Sequence, residues 1–402
     1  MKVLILAPYP LGKAPSQRFR FEHFLKFMEE KGITYDFQSF VSEAGWKYLY
    51  VQGNTLKKVL ATFSGFLRRF LILFRLPAYQ SILVHRELTP FGPPIFEWII
   101  AKVLRKKIIY DFDDAIWMAD GTEESTLWRW IKWRSKVASI CSWSWKVSAG
   151  NEYLAEFAKQ YCDQVEILPT VVDTEIHKDQ KPTANGQRPT AKETLRQAQS
   201  DRQQAQSDLT IESQKPKAKS QKPAANGQQP TANSQQPVIG WTGSHSTLFY
   251  LDMLVPILQE LEKDHDFEFL VIANKDPQLP IKNFRFVAWN KETEIEDLSK
   301  IDIGVMPLED NEWSKGKCGF KLIQYLSLGI PAIASPVGVN TEIVMHNQTG
   351  LIATTPNQWL EALKQLLEQE TLRKQMGDSG RKLIQKKYSV ASQQEKFLQL
   401  FQ

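Results

Sequence analysis

The sequence predicts an α/β protein of two doubly wound domains facing a central cleft. Three observations carry this expectation. Short continuous apolar runs at Val3–Ala7, Ser81–His85 and Lys107–Phe112 alternate with stretches of helical period, as parallel strands buried on both faces require. The same alternation restarts at Val238–Trp241 and continues through Phe267–Ala273 and Ile303–Met306. Between the halves lies a segment, 178–237, too polar to build a core of its own. A length of 402 residues agrees with two or three domains, and an apolar fraction of 42% is enough for real cores.

Composition narrows the functional classes. A net charge of +5 and a pI near 8.8 do not demand a nucleic-acid partner, but they suit anionic ligands or an anionic membrane surface. Three cysteines form neither a disulfide framework nor a metal-binding spacing, which points to a reducing compartment. The opening MKVLILAPYP is too short for a signal peptide and reads as a first strand. No uninterrupted apolar run reaches the length of a spanning helix. The expected location is cytoplasmic, with peripheral attachment at the inner face of a membrane left open.

The first domain, 1–175, begins with the strand Val3–Ala7, a Pro/Gly loop and a helix over Gln17–Lys31 capped by Ser16. The dinucleotide fingerprint G-x-G-x-x-G is absent. Arg18 and Arg20 suit the helix start poorly and either meet a ligand anion or are simply solvated. A second strand covers Ile33–Phe40. Next, Leu56–Leu76 has helical period and carries Lys57, Lys58, Arg68, Arg69 and Arg75 without an acid. It reads either as a helix lying on an anionic membrane or as one packed on the sheet with its cations snorkelling. His85, Arg86 and Glu87 fall at the C-terminal end of the third strand, where open α/β sheets place their ligands. Asp111, Asp113 and Asp114 crowd the tip of the fourth, as a general base, sugar-hydroxyl acceptors, a metal site or a helix cap. Trp117, Trp128, Trp130, Trp133, Trp143 and Trp145 read as packing residues, and Val137–Ser142 as a short strand.

Segment 178–237 repeats QKPTANGQRPTAK as QKPAANGQQPTAN and reads as a disordered insertion. The second domain, 238–385, opens with a strand, the polar turn Thr242–Thr247 and a helix over Leu248–Lys263; the turn is either a phosphate site or simply a tight turn with Thr247 as cap. Gly243 permits close backbone approach, and the N–H groups after it, from Ser244 on, can face a phosphate. The organising stretch is 314–339. A Gly/Lys loop feeds a helix over Phe320–Leu328, ended by Gly329 and Pro331, and then a buried strand. Lys317 and Lys321 sit four apart where loop tip and first helical turn can both face an anion, or lie solvated on an ordinary αβ unit. A helical tail, 386–402, closes the chain.

At this point the chain resembles a family: retaining glycosyltransferases of the GT-B fold, group 4 (glycosyl transferases group 1), built from two Rossmann-like doubly wound domains. Ile239–Ser244, Asp302–Pro307, Gly319–Leu322, Tyr325, Leu328–Ser335, Gly338 and Glu342 carry the resemblance. Ser16–Arg20, Asp111–Ala115, Leu168-Pro169 and Asp173 add to it. The resemblance implies sugar transfer from a nucleotide-sugar donor, with retained anomeric configuration, to a saccharide or lipid-linked acceptor. It implies no cofactor beyond the nucleoside-diphosphate sugar and no metal. Donor contacts are then expected from Gly243, Ser244, Lys317, Gly319, Phe320, Lys321 and Gln324. Acceptor-side contacts are expected from Arg18, Arg20, His85, Arg86 and Glu87, and catalytic roles from Asp113, Asp114, Lys317 and Lys321. Three family positions differ, and the basic pair usual after the first helix of the second domain is missing. Gln324 stands where the second acid of a Glu-x7-Glu motif is usual, with no acid at Gly316 for the first, and Asp113 stands where a histidine is common. A non-catalytic nucleotide-sugar-binding protein and a sugar-nucleotide epimerase are the rival readings.

Overall fold

The computed structural model describes residues 1–49, 53–119, 131–176 and 236–402. The first lobe is a six-stranded parallel sheet: β1 (Lys2–Ala7), β2 (Thr34–Ser39), β3 (Ser81–His85), β4 (Lys107–Phe112), β5 (Lys146–Ala149) and β6 (Val165–Ile167), in the order β2-β1-β3-β4-β5-β6. The second lobe repeats the plan with β7 (Val238–Gly243), β8 (Glu268–Ala273), β9 (Phe284–Ala288), β10 (Ile303–Met306), β11 (Ala332–Ala334) and β12 (Gly350–Ile352), ordered β12-β11-β10-β7-β8-β9. The apolar runs of the sequence become these strands, with β3, β10 and β11 buried along their whole length. Each sheet reverses its winding beside its first strand, between β1 and β3 and between β7 and β10. The loops after those strands lie where a ligand crevice forms in open α/β sheets.

The chain returns to the first lobe at its end. Helix Glu370–Lys387 packs on helix Phe320–Ser327, where Gly377 and Gly380 leave room for Gly329 and Leu326. Val172 N–H then donates to Tyr388 O at 3.0 Å, and Val390 N–H to Val172 O at 3.1 Å. Helix Val390–Gln399 finishes the first lobe's core, with Phe397 stacked on Phe24 at 4.4 Å between ring centroids.

Several local expectations are corrected. Val137–Ser142 is not a strand but part of helix Lys136–Trp143, because Val137, Ile140 and Cys141 face the core at helical spacing. The helix expected over Gln17–Lys31 breaks into Pro15–Arg18, a 3-10 turn at Glu22–Phe24 and Leu25–Glu30, and Ala14, not Ser16, occupies the cap. Buried polar side chains drive the break: Gln17 holds Tyr9 through both its amide groups at 2.7 and 2.9 Å, and Arg20 turns into the lobe. Leu248–Lys263 is likewise a 3-10 run, His245–Met253, followed by helix Val255–Leu261, with Ser244 rather than Thr247 at the start. Trp117 packs as expected, stacked on Phe157 at 3.7 Å. Trp128, Trp130 and residues 178–235 lie outside the described residues.

The basic helix, Thr55–Leu73, differs most from its sequence reading. Arg69 is 1% exposed and donates to the carbonyls of Ala7, Gln38 and Leu88 at 2.8–3.0 Å. Burial lowers its pKa to about 9. Arg68 donates to the Phe40 carbonyl. These two arginines satisfy backbone oxygens at strand ends instead of facing outward. The outer face is apolar: Leu56, Leu60, Phe63, Leu67, Phe70 and Phe74 are all exposed.

Candidate functional site

On the first lobe, the tip of β4 sends its carboxylates in different directions. Asp111 points inward. Its Oδ1 accepts from Arg20 Nη2 at 2.5 Å and Ser148 Oγ at 2.7 Å, and its Oδ2 lies 2.8 Å from His85 Nδ1. Burial alone would raise the Asp111 pKa, but the Arg20 charge and His85 hold it well below the usual range. Arg20 also donates to the Leu168 carbonyl. Arg20 and His85, 1% and 0% exposed, are therefore internal struts and not the expected acceptor contacts. Glu87 likewise turns away, to Lys136 Nζ at 2.6 Å.

Arg86 and the other two aspartates do reach the cleft. Arg86 follows β3 with φ +62°, a left-handed conformation costing a non-glycine residue about 1–2 kcal/mol. Its N–H donates to Asp111 O at 2.7 Å, and its Nε and Nη2 donate to Asp113 Oδ1 at 3.0 and 2.9 Å. Burial disfavours the Arg86 charge, yet Asp113 and then Asp114 raise its pKa above the ordinary value. Burial also pushes the Asp114 carboxyl up, against the pull of Lys317 and Arg86. Among the described residues no group of three or more His, Cys, Asp or Glu side chains converges as a metal site would require.

On the second lobe, helix Phe320–Ser327 starts from Gly319, whose φ of +64° and lack of a side chain both matter. A Cβ there would lie 2.3 Å from Ile343 Cδ1. The glycine turns the loop into the helix start, where the first N–H groups have no intrahelical partner and no side chain caps them. Lys317 Nζ sits 4.6 Å from the Trp313 ring centroid and Lys321 Nζ 5.1 Å from that of Trp241. Burial, and then repulsion from Lys317, lower the Lys321 pKa to about 7, with Asp114 opposing. Phe320, expected at the donor, instead packs on Phe19 of the first lobe at 4.1 Å. Gln324 is 2% exposed and donates to Glu294 Oε1 at 3.3 Å. Gly243 is crowded, since a Cβ there would lie 2.4 Å from the Trp241 ring. Ser244 shares a 2.8 Å hydrogen bond with Ser246 on the exposed turn beyond it.

The lobes meet through contacts invisible to motif reading. Asn151 Nδ2 donates to Gly316 O at 3.3 Å and Lys317 O at 3.1 Å, while its Oδ1 accepts from Leu154 N–H. Cys318 Sγ donates to Asp113 O at 3.1 Å. Gly150 and Gly316 permit this approach, because a Cβ on either would fall 2.4 Å from Cys318 Sγ or 2.6 Å from Ala115 Cβ. Arg18 crosses to Glu294 at 2.5 Å, so its partner is the other lobe. Asn151 had a sequence signal, a Gly-Asn pair ahead of a helix. Glu294 had none.

The arrangement is therefore a two-lobed crevice with Arg86, Asp113 and Asp114 on one wall and Lys317 and Lys321 on the other. Two facing Rossmann-like lobes with a returning C-terminal helix define the GT-B class of fold. Residues 236–369, which make up most of the second lobe, match the model of the family described as Glycosyl transferases group 1. An uncharacterised glycosyltransferase of Methanocaldococcus jannaschii is 32% identical over 146 residues, a match covering 33% of this chain and 40% of that protein's length. Three solved structures share the whole fold. They are sucrose-phosphate synthase from Thermosynechococcus elongatus (TM-score 0.66, 13% identity, 100% of this chain and 98% of that one), a glycosyltransferase from Rickettsia africae (0.64, 12%, 100% and 97%) and HepE from Anabaena in complex with UDP and glucose (0.60, 12%, 100% and 99%). No helix among the described residues is long and apolar enough to cross a membrane.

Proposed function

We propose that the protein is a glycosyltransferase that takes a sugar from a nucleoside-diphosphate donor and delivers it, with retained configuration, to a saccharide or lipid-linked acceptor. The observation that carries the reading is the pair Lys317 and Lys321 at the start of helix Phe320–Ser327, across the crevice from Asp113 and Asp114. A leaving diphosphate develops negative charge, and preorganised cations and N–H groups stabilise it in a site screened from water. Retention by front-face attack requires that charge to be neutralised on the same side as the incoming hydroxyl. The two lysines fit the diphosphate. Asp113, fixed by Arg86, and Asp114, raised by burial, fit the sugar or acceptor hydroxyls.

The acceptor side is assigned to a lipid surface. The outer face of helix Thr55–Leu73 is apolar, and Lys57, Lys58 and Arg75 border it. Calorimetry with UDP, GDP and ADP tests the donor reading. One nucleotide should bind to wild type and lose at least tenfold affinity in Lys317→Ala and Lys321→Ala. Unchanged affinity in both variants sinks it. Release of free nucleoside diphosphate only when acceptor is added separates transfer from simple binding and from epimerisation.

A further inference from the structure

Beside the apolar face of helix Thr55–Leu73 is a cavity of about 540 Å³, within the size range of small-ligand sites. Phe66, Phe91, Ile95, Phe96, Ile131 and Trp133 line it, almost without polar surface. We infer that this cavity seats the hydrocarbon chain of an anionic, lipid-linked acceptor. The inference rests on the lipid-surface reading above and narrows it from a face to a site.

Four observations support it. First, the cavity opens amid exposed apolar groups from two elements: Phe63, Leu67 and Phe70 on the 55–73 helix, and Ile95 and Trp98 beside them. Phe66 and Phe96, 6.4 Å apart between ring centroids, join the two elements at the cavity wall. Second, its wall is preformed. Lys136, 2% exposed, clamps the connection after β3 by donating to Thr89 O at 2.8 Å and pairing with Glu87 at 2.6 Å. Leu88 N–H is held by Glu97 at 3.0 Å. Third, that connection is continuous with the crevice: it starts at Arg86, which holds Asp113, and reaches the cavity at Thr89. A chain seated here belongs to a lipid whose head group lies on the acceptor side. Fourth, the exposed charge carried by these two stretches has one sign. Over 53–78 and 95–106 the exposed or partly exposed charged residues are Lys57, Lys58, Arg68, Arg75, Lys102, Arg105 and Lys106, and the single acid, Glu97, is buried. That charge complements a phosphate-bearing lipid. It opposes a second copy of this chain, because the seam 56, 60, 63, 67, 70, 74 would bring like charges together with no acids to pair them.

The test uses the full chain with two probes: monomeric decyl phosphate in calorimetry and vesicles containing anionic phospholipid in flotation. Ile95→Trp, at the exposed mouth, should block the cavity without disturbing the core. Phe63→Ser with Phe70→Ser should strip the outer face and spare the cavity. We expect saturable one-to-one binding of decyl phosphate, weakened at least tenfold by Ile95→Trp and unchanged in the serine variant, whose flotation falls severalfold. A photoactivatable decyl phosphate should label residues lining the cavity. Flotation of wild type together with equal decyl phosphate binding by wild type and Ile95→Trp overturns the cavity and leaves the lipid surface standing. Failure of both probes, or a dimer that shields this face in sedimentation, overturns both. UDP, GDP or ADP binding unaltered in every variant keeps either failure separate from the donor site.

Discussion

The two lobes share a topology but use their cations in opposite ways. In the first, Arg20 and Arg69 are buried and fully committed, Arg20 to Asp111 and Arg69 to three backbone carbonyls. In the second, Lys317 and Lys321 form no ion pair among the described residues; they repel one another and rest on tryptophan faces. The planar guanidinium donates in several fixed directions and so suits a structural hub, whereas the lysine ammonium loses its proton readily when desolvated. The contrast separates cations that hold the fold from cations that the fold leaves uncommitted. Proximity to a strand tip, the only cue available in sequence, does not separate them.

The contrast can be broken most forcefully at Asp111. Asp111→Ala leaves Arg20 buried without its carboxylate and should cost about 3–5 kcal/mol in urea unfolding. A loss below about 1 kcal/mol would show that Arg20 is no strut. On the other lobe, Lys321→Ala should leave the unfolding midpoint unchanged while nucleoside-diphosphate affinity falls about 10- to 100-fold, the worth of a charged hydrogen bond. Loss of stability with affinity intact would invert the comparison.

Titration sharpens it further. Burial and then Lys317 lower the Lys321 pKa to about 7, and on the proposed donor reading a bound diphosphate would restore the charge and raise it. Affinity should therefore be highest at and below pH 7. It should fall by up to about tenfold per unit as pH rises above that, until the pKa of the bound form is reached. Proton uptake on binding, read by calorimetry in buffers of different ionisation enthalpy, should accompany the fall. Lys321→Arg should flatten the profile, and an unchanged slope in that variant would remove Lys321 from the diphosphate. The smallest effect is expected between the lobes. Replacing 180–235 with a short Gly/Ser bridge should leave donor affinity and thermal midpoint nearly unchanged, as the polar composition suggests. Loss of the cooperative transition would count against it.

What the sequence revealed follows from what is local in it. Strands buried on both faces announce themselves as apolar runs, so β1, β3, β4, β7, β8 and β10 were legible. Lys317, Lys321 and the turn at Gly319 were legible for the same reason, since loop, glycine and helix start are contiguous. Pairings across long separations were not. Arg20 with Asp111, Arg18 with Glu294 and Asn151 with the 316–317 carbonyls join residues 91, 276 and up to 166 positions apart. Nor could charge alone say which way a helix faces. Arg68 and Arg69 turned inward, and the outward surface of that helix proved apolar.

The returning helix bears on how the molecule is made. Phe397, Leu398, Leu400 and Phe401 belong to the same apolar cluster as Val3, Ile5 and Ala7. Synthesis runs from the other end, and domains ordinarily fold as they leave the ribosome. Here the second lobe can bury its own core while the first still shows an open face beside β1. The domain begun first is completed last, and until then its uncovered Phe21, Phe24 and Met28 are surface for a chaperone to hold.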